Sequence, residues 1–336
     1  MSLGPRITLE HGSGGALSRE LTEQLIYPCF RGPEYPELAD STAFALDGRG
    51  LFTTDTYVVD PPFFPGGDIG RLAVFGTCND LAVCGATPLY LSLGLVIEEG
   101  FATADLEKIL RSARAAADEA GVRIITGDTK VVPSGKGGGI FLNTAGVGRA
   151  RPGLTLSPAR LRAGDRLLVS AGIGSHGLAI LAARESLSIA SSLSSDCACL
   201  YPLCEALAGL GLDLRWMRDA TRGGVAAVLN ELVRGSDCGL EAEEEAFPVE
   251  GPVAAAADLL GLNPLEIANE GVLVAAVAAP ALERALRLLR AQPLGSRACC
   301  VGQATAEHPG RVMLRTAIGG RRILDLPRGL LLPRIC

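Results

Sequence analysis

The chain has 336 residues, 48% of them apolar, which is enough for two domains with sizeable cores. A formal charge of −6, with no basic face along the sequence, excludes a nucleic-acid-binding protein. The first residues, "MSLGPRITLEHG", lack the charged-then-apolar pattern of a secretory signal, so a cytoplasmic protein with reduced cysteines is expected.

In chain order, "HGSGG" (11–15) comes first; its glycines either bring backbone N–H groups close to an anion or form a plain N-terminal loop. "GLFTTDTYVV" is β-rich, and "DIGRLAVFGTCNDLAVCG" has helical spacing. The run "LAVCGATPLYLSLGLVI" approaches membrane-spanning length. Gly85 and Pro88 break it, so it reads as a helix end, a turn and a buried strand, with no membrane partner. "TADLEKILRSARAAADEAG" is a helix opened by a Thr cap and closed by Gly121, and "VRIIT" and "IFLNTAGVG" are strands. The Gly-, Pro- and Arg-rich stretch "RARPGLTLSPARLRAGD" marks a boundary between a domain at 1–150 and one at 151–320. The second half repeats the α/β alternation. Strands are expected at "DRLLVSA", "GVLVAAVAA" and "ACCVGQATA", and helices at "GLAILAARE", "RGGVAAVLNELVRG" and "PALERALRLLRA". Residues 321–336, ending "LPRIC", read as an extended tail.

Chemistry concentrates in the first half. Asp55 is expected to end the strand "LFTTD", Asp80 lies in "TCND", and Asp128 follows "VRIIT". A single acid at such a place is an ordinary cap or turn residue. Three at element ends in one domain suggest a magnesium–phosphate site, because gathered carboxylates repel unless a divalent cation neutralises them. Lys130 adds a cation able to meet a phosphate oxygen. "PSGKGGG" fails the P-loop pattern, and "GIGSHG" (172–177) matches G-x-G-x-x-G but lacks the acid-ended second strand of a dinucleotide site. "DCACLYPLC" has neither a paired CxxC nor a nearby His, which argues against zinc. Arg218, Asp219 and Arg222 in "RDATRGG" either bind phosphate or cap a helix, and Glu270 in "ANEG" is either a turn solvator or a site group.

Together "HGSGG", "TTDTYVVDPPFFPGGDIGRLAVFGTCNDLAVCGA", "GDTKVV", "RDATRGGV", "ANEG" and the final "PRIC" resemble the HypE family of hydrogenase maturation proteins, within the PurM-like ATP-binding superfamily. The similarity runs from Ile7 to Cys336; one departure is Ser175 of "GSHG", where the family commonly has an acid. The resemblance implies a PurM-like α/β (α+β) fold of two domains, with N-terminal strands forming a dimer barrel and a mobile tail at 321–336. It implies ATP-dependent dehydration of a carbamoyl group on the thiol of Cys336 to a thiocyanate, the source of cyanide for NiFe hydrogenase iron. ATP and Mg2+ would be held by Gly12, Gly14, Gly15, Asn79, Asp55, Asp80 and Asp128, the three aspartates binding the metal. Lys130 would stabilise transferred charge, Glu270 is the candidate base, and His176 is a second candidate. Implied partners are the carbamoyltransferase HypF, a HypC–HypD scaffold complex and a second copy of the chain. The alternatives are another PurM-like ATP-dependent synthetase, a thiol metal carrier without ATP chemistry, and, on "GIGSHG" alone, a dehydrogenase.

Overall fold

A computed structural model describes residues 4–12, 16–32, 46–187 and 192–327. A short turn at Leu9–Gly12 is followed by helix α1 (Ala16–Leu21), which passes through a wider turn at Thr22–Ile26 into α2 (Tyr27–Phe30). Strand β1 (Gly50–Tyr57) and the small pair β2 (Phe63–Phe64) and β3 (Gly67–Asp68) precede α3 (Ile69–Val83). Then come β4 (Ala86–Glu98), α4 (Thr103–Ala120), β5 (Arg123–Val132) and β6 (Ile140–Ala150). The second domain comprises β7 (Arg166–Val169), α5 (Ser175–Arg184), α6 (Tyr201–Ala208), β8 (Leu214–Asp219), α7 (Gly224–Val233), β9 (Gly239–Glu243) and α8 (Gly251–Leu260). It closes with β10 (Leu273–Val277), α9 (Leu282–Arg290), β11 (Cys299–Thr305), β12 (Val312–Arg315) and β13 (Arg321–Ile323). β13 pairs with β12, so the segment expected as tail begins inside the sheet. Residues 328–336, Cys336 included, lie outside the described residues.

The first sheet has the order β1-β6-β4-β5, antiparallel except for the parallel β4–β5 pair. One face is covered: Leu91, Leu93, Leu95 and Ile97 of β4 are buried in the same core as Ile109, Leu110 and Ala113 of α4. That pairing follows from α4's sequence. Its apolar positions Leu106, Ile109, Leu110, Ala113, Ala116, Ala117 and Ala120 fall three and four apart on one stripe, and ion pairs Arg111–Glu107 and Arg114–Asp118 occupy the solvent side. The cap differs from the expected one. Ala102 is the N-cap, and Thr103 instead donates from Oγ1 to Gly4 O at 2.7 Å. Gly121 does end the helix, in the left-handed conformation at φ 69° that favours glycine. The other face of the sheet is open, with Phe52 70% exposed and Val96 also exposed.

The second sheet has the order β13-β12-β9-β11-β7-β10-β8 and is covered on both sides. "LVAAV" of β10 is apolar at every position because its alternate residues enter different cores. Val274 and Ala276 pack with Val225, Leu229 and Leu232 of α7, while Leu273, Ala275 and Val277 pack with residues of α6 and α9. α3 is buried almost all round, which places it between layers rather than on the surface. Its Ala82 and Val83 join a core of the second domain, and Cys197, Cys199 and Ala268 join the core of the first. The domain boundary is therefore apolar and continuous, and α3 carries Asn79 and Asp80 directly to it.

Candidate active site

A cleft of about 200 Å³ opens between the domains, lined by Thr54, Asp55, Tyr57, Gly76 and Asp80 of the first and Arg218, Asp219, Thr221, Arg222 and Glu270 of the second. Register explains the grouping. Asp55 lies in the interior of β1 opposite Thr144, a residue buried against Thr77 of α3, so its side chain faces α3. Thr53, two residues earlier on that face, donates from Oγ1 to Asp80 Oδ2 at 3.0 Å. Asp219 ends β8 and pairs with Leu273 of β10, which sets it beside the turn carrying Glu270. Asn269 fixes that turn: its Oδ1 accepts from Gly174 N at 2.6 Å and its Nδ2 donates to Ala220 O at 2.8 Å. "GIGSHG" thus serves as a brace for "ANEG", with Gly177 N also donating to Ala268 O at 3.0 Å.

The cleft is electrostatically tense. Burial pushes Asp80 above the ordinary carboxylate range, with the charge of Asp55 adding to it, while Thr53, Arg218 and Arg222 oppose it. Asp219 is pushed up to about 7, first by burial and next by the charge of Asp80. Glu270, only 5% exposed, is driven well above its ordinary value by burial and by the charges of Asp219, Asp196 and Asp55; Arg222 works the other way. Carboxylates that raise one another in this way form a hard, all-oxygen donor set short of positive charge, which fits a divalent cation. Among the described residues no three His, Cys, Asp or Glu side chains form a metal cage by themselves. Magnesium held by one or two carboxylates plus substrate phosphates needs none.

Other expected site residues lie elsewhere. Asp128 and Lys130 are interior to β5, not after it; they pair with Gly94 and Val96 on the open face of the sheet. Asp55 is on the opposite edge and the opposite face, so Asp55, Asp80 and Asp128 of one chain do not form the expected trio. Gly12 belongs to the Leu9–Gly12 turn, which packs near β5; Gly14 and Gly15 are outside the described residues. Asn79 is 1% exposed, and its amide is committed to the backbone of 198–200 rather than open to a nucleotide. His176 does not line the cleft either. It is fully buried edge-on to Phe64, with Nδ1 2.8 Å from Ser195 Oγ, and burial lowers it to about 3, so the ring is neutral. The structure resolves the open reading of "RDATRGG" as a strand end plus a cleft wall. Asp196 was missed: it is a buried carboxyl in a polar stretch without periodicity, and only its tertiary neighbours reveal it.

Residues 39–150 match the family "AIR synthase related protein, N-terminal domain", and residues 162–315 match the corresponding C-terminal domain. The carbamoyl dehydratase HypE of Rhizobium leguminosarum bv. viciae is 47% identical over 333 residues, spanning 98% of this chain and 95% of the relative. A crystal structure of hydrogenase maturation protein HypE in complex with ATP superposes with a TM-score of 0.94 at 42% identity, covering 98% of this chain and 99% of that one. A crystal structure of a HypE–HypF complex matches with a TM-score of 0.81 at 40% identity, covering 93% and 100%. The fold is accordingly the two-domain PurM-like α/β fold, and the chain belongs to the HypE family of hydrogenase maturation proteins.

Proposed function

We propose that the chain uses ATP to dehydrate a carbamoyl group on the thiol of Cys336, leaving a thiocyanate whose cyanide becomes an iron ligand in a NiFe hydrogenase. The observation that carries this reading is the convergence of Asp55, Asp80, Asp219, Arg222 and Glu270 in one interdomain cleft. Relatives named carbamoyl dehydratase, and a HypE structure in complex with ATP, support it.

A carbamoyl oxygen is a poor leaving group. Transfer of the γ-phosphoryl group of ATP to that oxygen releases ADP and turns it into a phosphate ester. Removal of one N–H proton gives the neutral imidate; removal of the second, with departure of phosphate, forms the C≡N bond. The balance is thiocarboxamide plus ATP giving thiocyanate, ADP and phosphate. Magnesium, held by Asp55 and Asp80 with Asp219 beside them, would supply neutralisation of the phosphate charge. Arg222 and Arg218 line the same wall and orient phosphate oxygens. Glu270 takes the N–H proton: buried among carboxylates, once ionised it is a stronger base than an exposed acid.

Asp128, Lys130 and Gly12 reach such a cleft only from a second copy. A homodimer with open sheet faces joined into a barrel would cover Phe52 and Val96 and complete each site from two chains. HypF as the carbamoyl donor is supported by the HypE–HypF complex, and HypC–HypD as the cyanide acceptor rests on family resemblance. The reading keeps the protein cytoplasmic; among the described residues no helix is long and apolar enough to cross a membrane. The test is isotopic. With heavy oxygen in the carbamoyl group, the label should be recovered in inorganic phosphate; unlabelled phosphate would overturn the route.

A further inference from the structure

Residues 196–200 form a strap outside the strands, held from both sides by specific hydrogen bonds. Asn79 Nδ2 donates to Ala198 O at 3.0 Å, and Asn79 Oδ1 accepts from Leu200 N at 2.7 Å. On the other side Ala198 N donates to Glu270 O at 3.2 Å, and Glu270 N donates to Asp196 Oδ1 at 3.1 Å. Gly271 lies flat against the same strap, so close that a Cβ there would stand 1.9 Å from Asp196 O. The strap is anchored beyond Asp196 as well, with Ser195 N donating to Pro65 O at 2.8 Å. One residue, Ala198, thus joins the residue next to Asp80 on α3, through its C=O, to the backbone of Glu270, through its N–H.

We infer that Asn79 and Asp196 are positioning residues of the reaction, holding Glu270 at a fixed setting against Asp80 across the domain boundary through the strap. The inference rests on the reading of Glu270 as the base and adds what fixes its place. A buried amide and a buried carboxyl are costly to keep at an apolar boundary, and an irregular strap needs partners for its peptide groups. Asn79 satisfies one acceptor and one donor at once, on a helix that is buried almost all round. Asp196 grips the N–H of the very residue whose side chain enters the cleft, so its Oδ1 fixes that residue's backbone. Neither side chain lines the cleft, so both act through Glu270 and not on the substrate. Displacement of a reacting group by about 1 Å costs up to roughly a hundredfold in rate while leaving binding little changed.

The experiment is a double-mutant cycle on the full chain, carbamoylated and supplied with magnesium-ATP. Asn79→Ala removes both strap bonds, and Asp196→Ala, which removes the acceptor of the Glu270 N–H, is the second variant should the first fail to fold. Each is expected to keep ATP affinity within about twofold, to slow single-turnover dehydration by roughly ten- to a hundredfold, and to have almost no further effect in a Glu270→Gln background. Wild-type rates from folded Asn79→Ala and Asp196→Ala would overturn the inference. So would a slowing of the same factor in the presence and absence of the Glu270 carboxyl, because the strap would then act elsewhere. A wild-type rate from Glu270→Gln alone is a different failure, removing the base assignment itself and the inference with it.

Discussion

Asp55 and Asp128 stand on opposite edges and opposite faces of one four-stranded sheet: Asp55 on β1 toward α3, Asp128 on β5 toward the open face. Two intervening strands and the sheet's own thickness separate them. Carboxylates placed so cannot share one cation within a chain, so the proposed function requires the second copy of the proposed homodimer to complete the site.

This arrangement predicts complementation. Asp55→Asn and Lys130→Ala should each be inactive as homodimers. Coexpressed in equal amounts, half the dimers are mixed and each mixed dimer has one of two sites intact, so about a quarter of wild-type dehydration should return. Recovery of nothing from mixed dimers verified by mass would place both residues in the same chain's site.

Asp80→Asn should lower the affinity for magnesium-ATP by about tenfold or more, since it removes a ligand charge from the cation. The fold should survive, because an amide oxygen can still accept the Thr53 hydroxyl. Titration calorimetry in magnesium decides it: unchanged affinity and unchanged turnover would remove Asp80 from the site.

Glu270→Gln separates binding from chemistry. The amide preserves shape but takes no proton, so ATP affinity should stay within about twofold while dehydration falls by roughly 10²- to 10⁴-fold. Equal losses in binding and turnover would make Glu270 a positioning group instead.

Asp196 carries a pH signature. Burial raises its carboxyl from the ordinary 3.8 to about 6, partly offset by backbone N–H groups of Glu270, Gly271 and His176. The folded chain therefore holds this proton more tightly than the unfolded chain. Stability falls as pH rises between those two values, by roughly 3 kcal/mol in all. Asp196→Asn has no such dependence. Chemical unfolding of both proteins should show the variant gaining on wild type by up to about 3 kcal/mol from acid to neutral pH. A difference that is flat with pH, or falls, would contradict a buried, proton-holding Asp196.

Much of this molecule is written in local pattern. The stripe of α4, the glycine stop at Gly121 and the unbroken "LVAAV" of β10 follow from periodicity and backbone preference. The acids Asp55, Asp80 and Glu270 were recognisable as chemistry, and the cleft brings them together. Strand order was not legible, and this is why Asp128 was grouped with Asp55. The strap was less legible still. "SSDCACL" is short, mixed in polarity and without period, and its meaning resides in bonds to Asn79 and Glu270, each more than seventy positions away. Asn79 illustrates the limit well: next to Asp80 it invites a nucleotide role, and only the fold shows its amide turned to the backbone.

The central claim is dehydration of a group carried by this chain, and intact-mass spectrometry of carbamoylated protein before and after magnesium-ATP tests it most directly. The account predicts a product one water lighter than the carbamoylated chain, with the change mapped to Cys336, one ADP and one phosphate formed per event, and no such product from Cys336→Ala. A carbamoylated chain that consumes ATP yet keeps its mass, or returns to the mass of the bare thiol without passing through the lighter form, would contradict it.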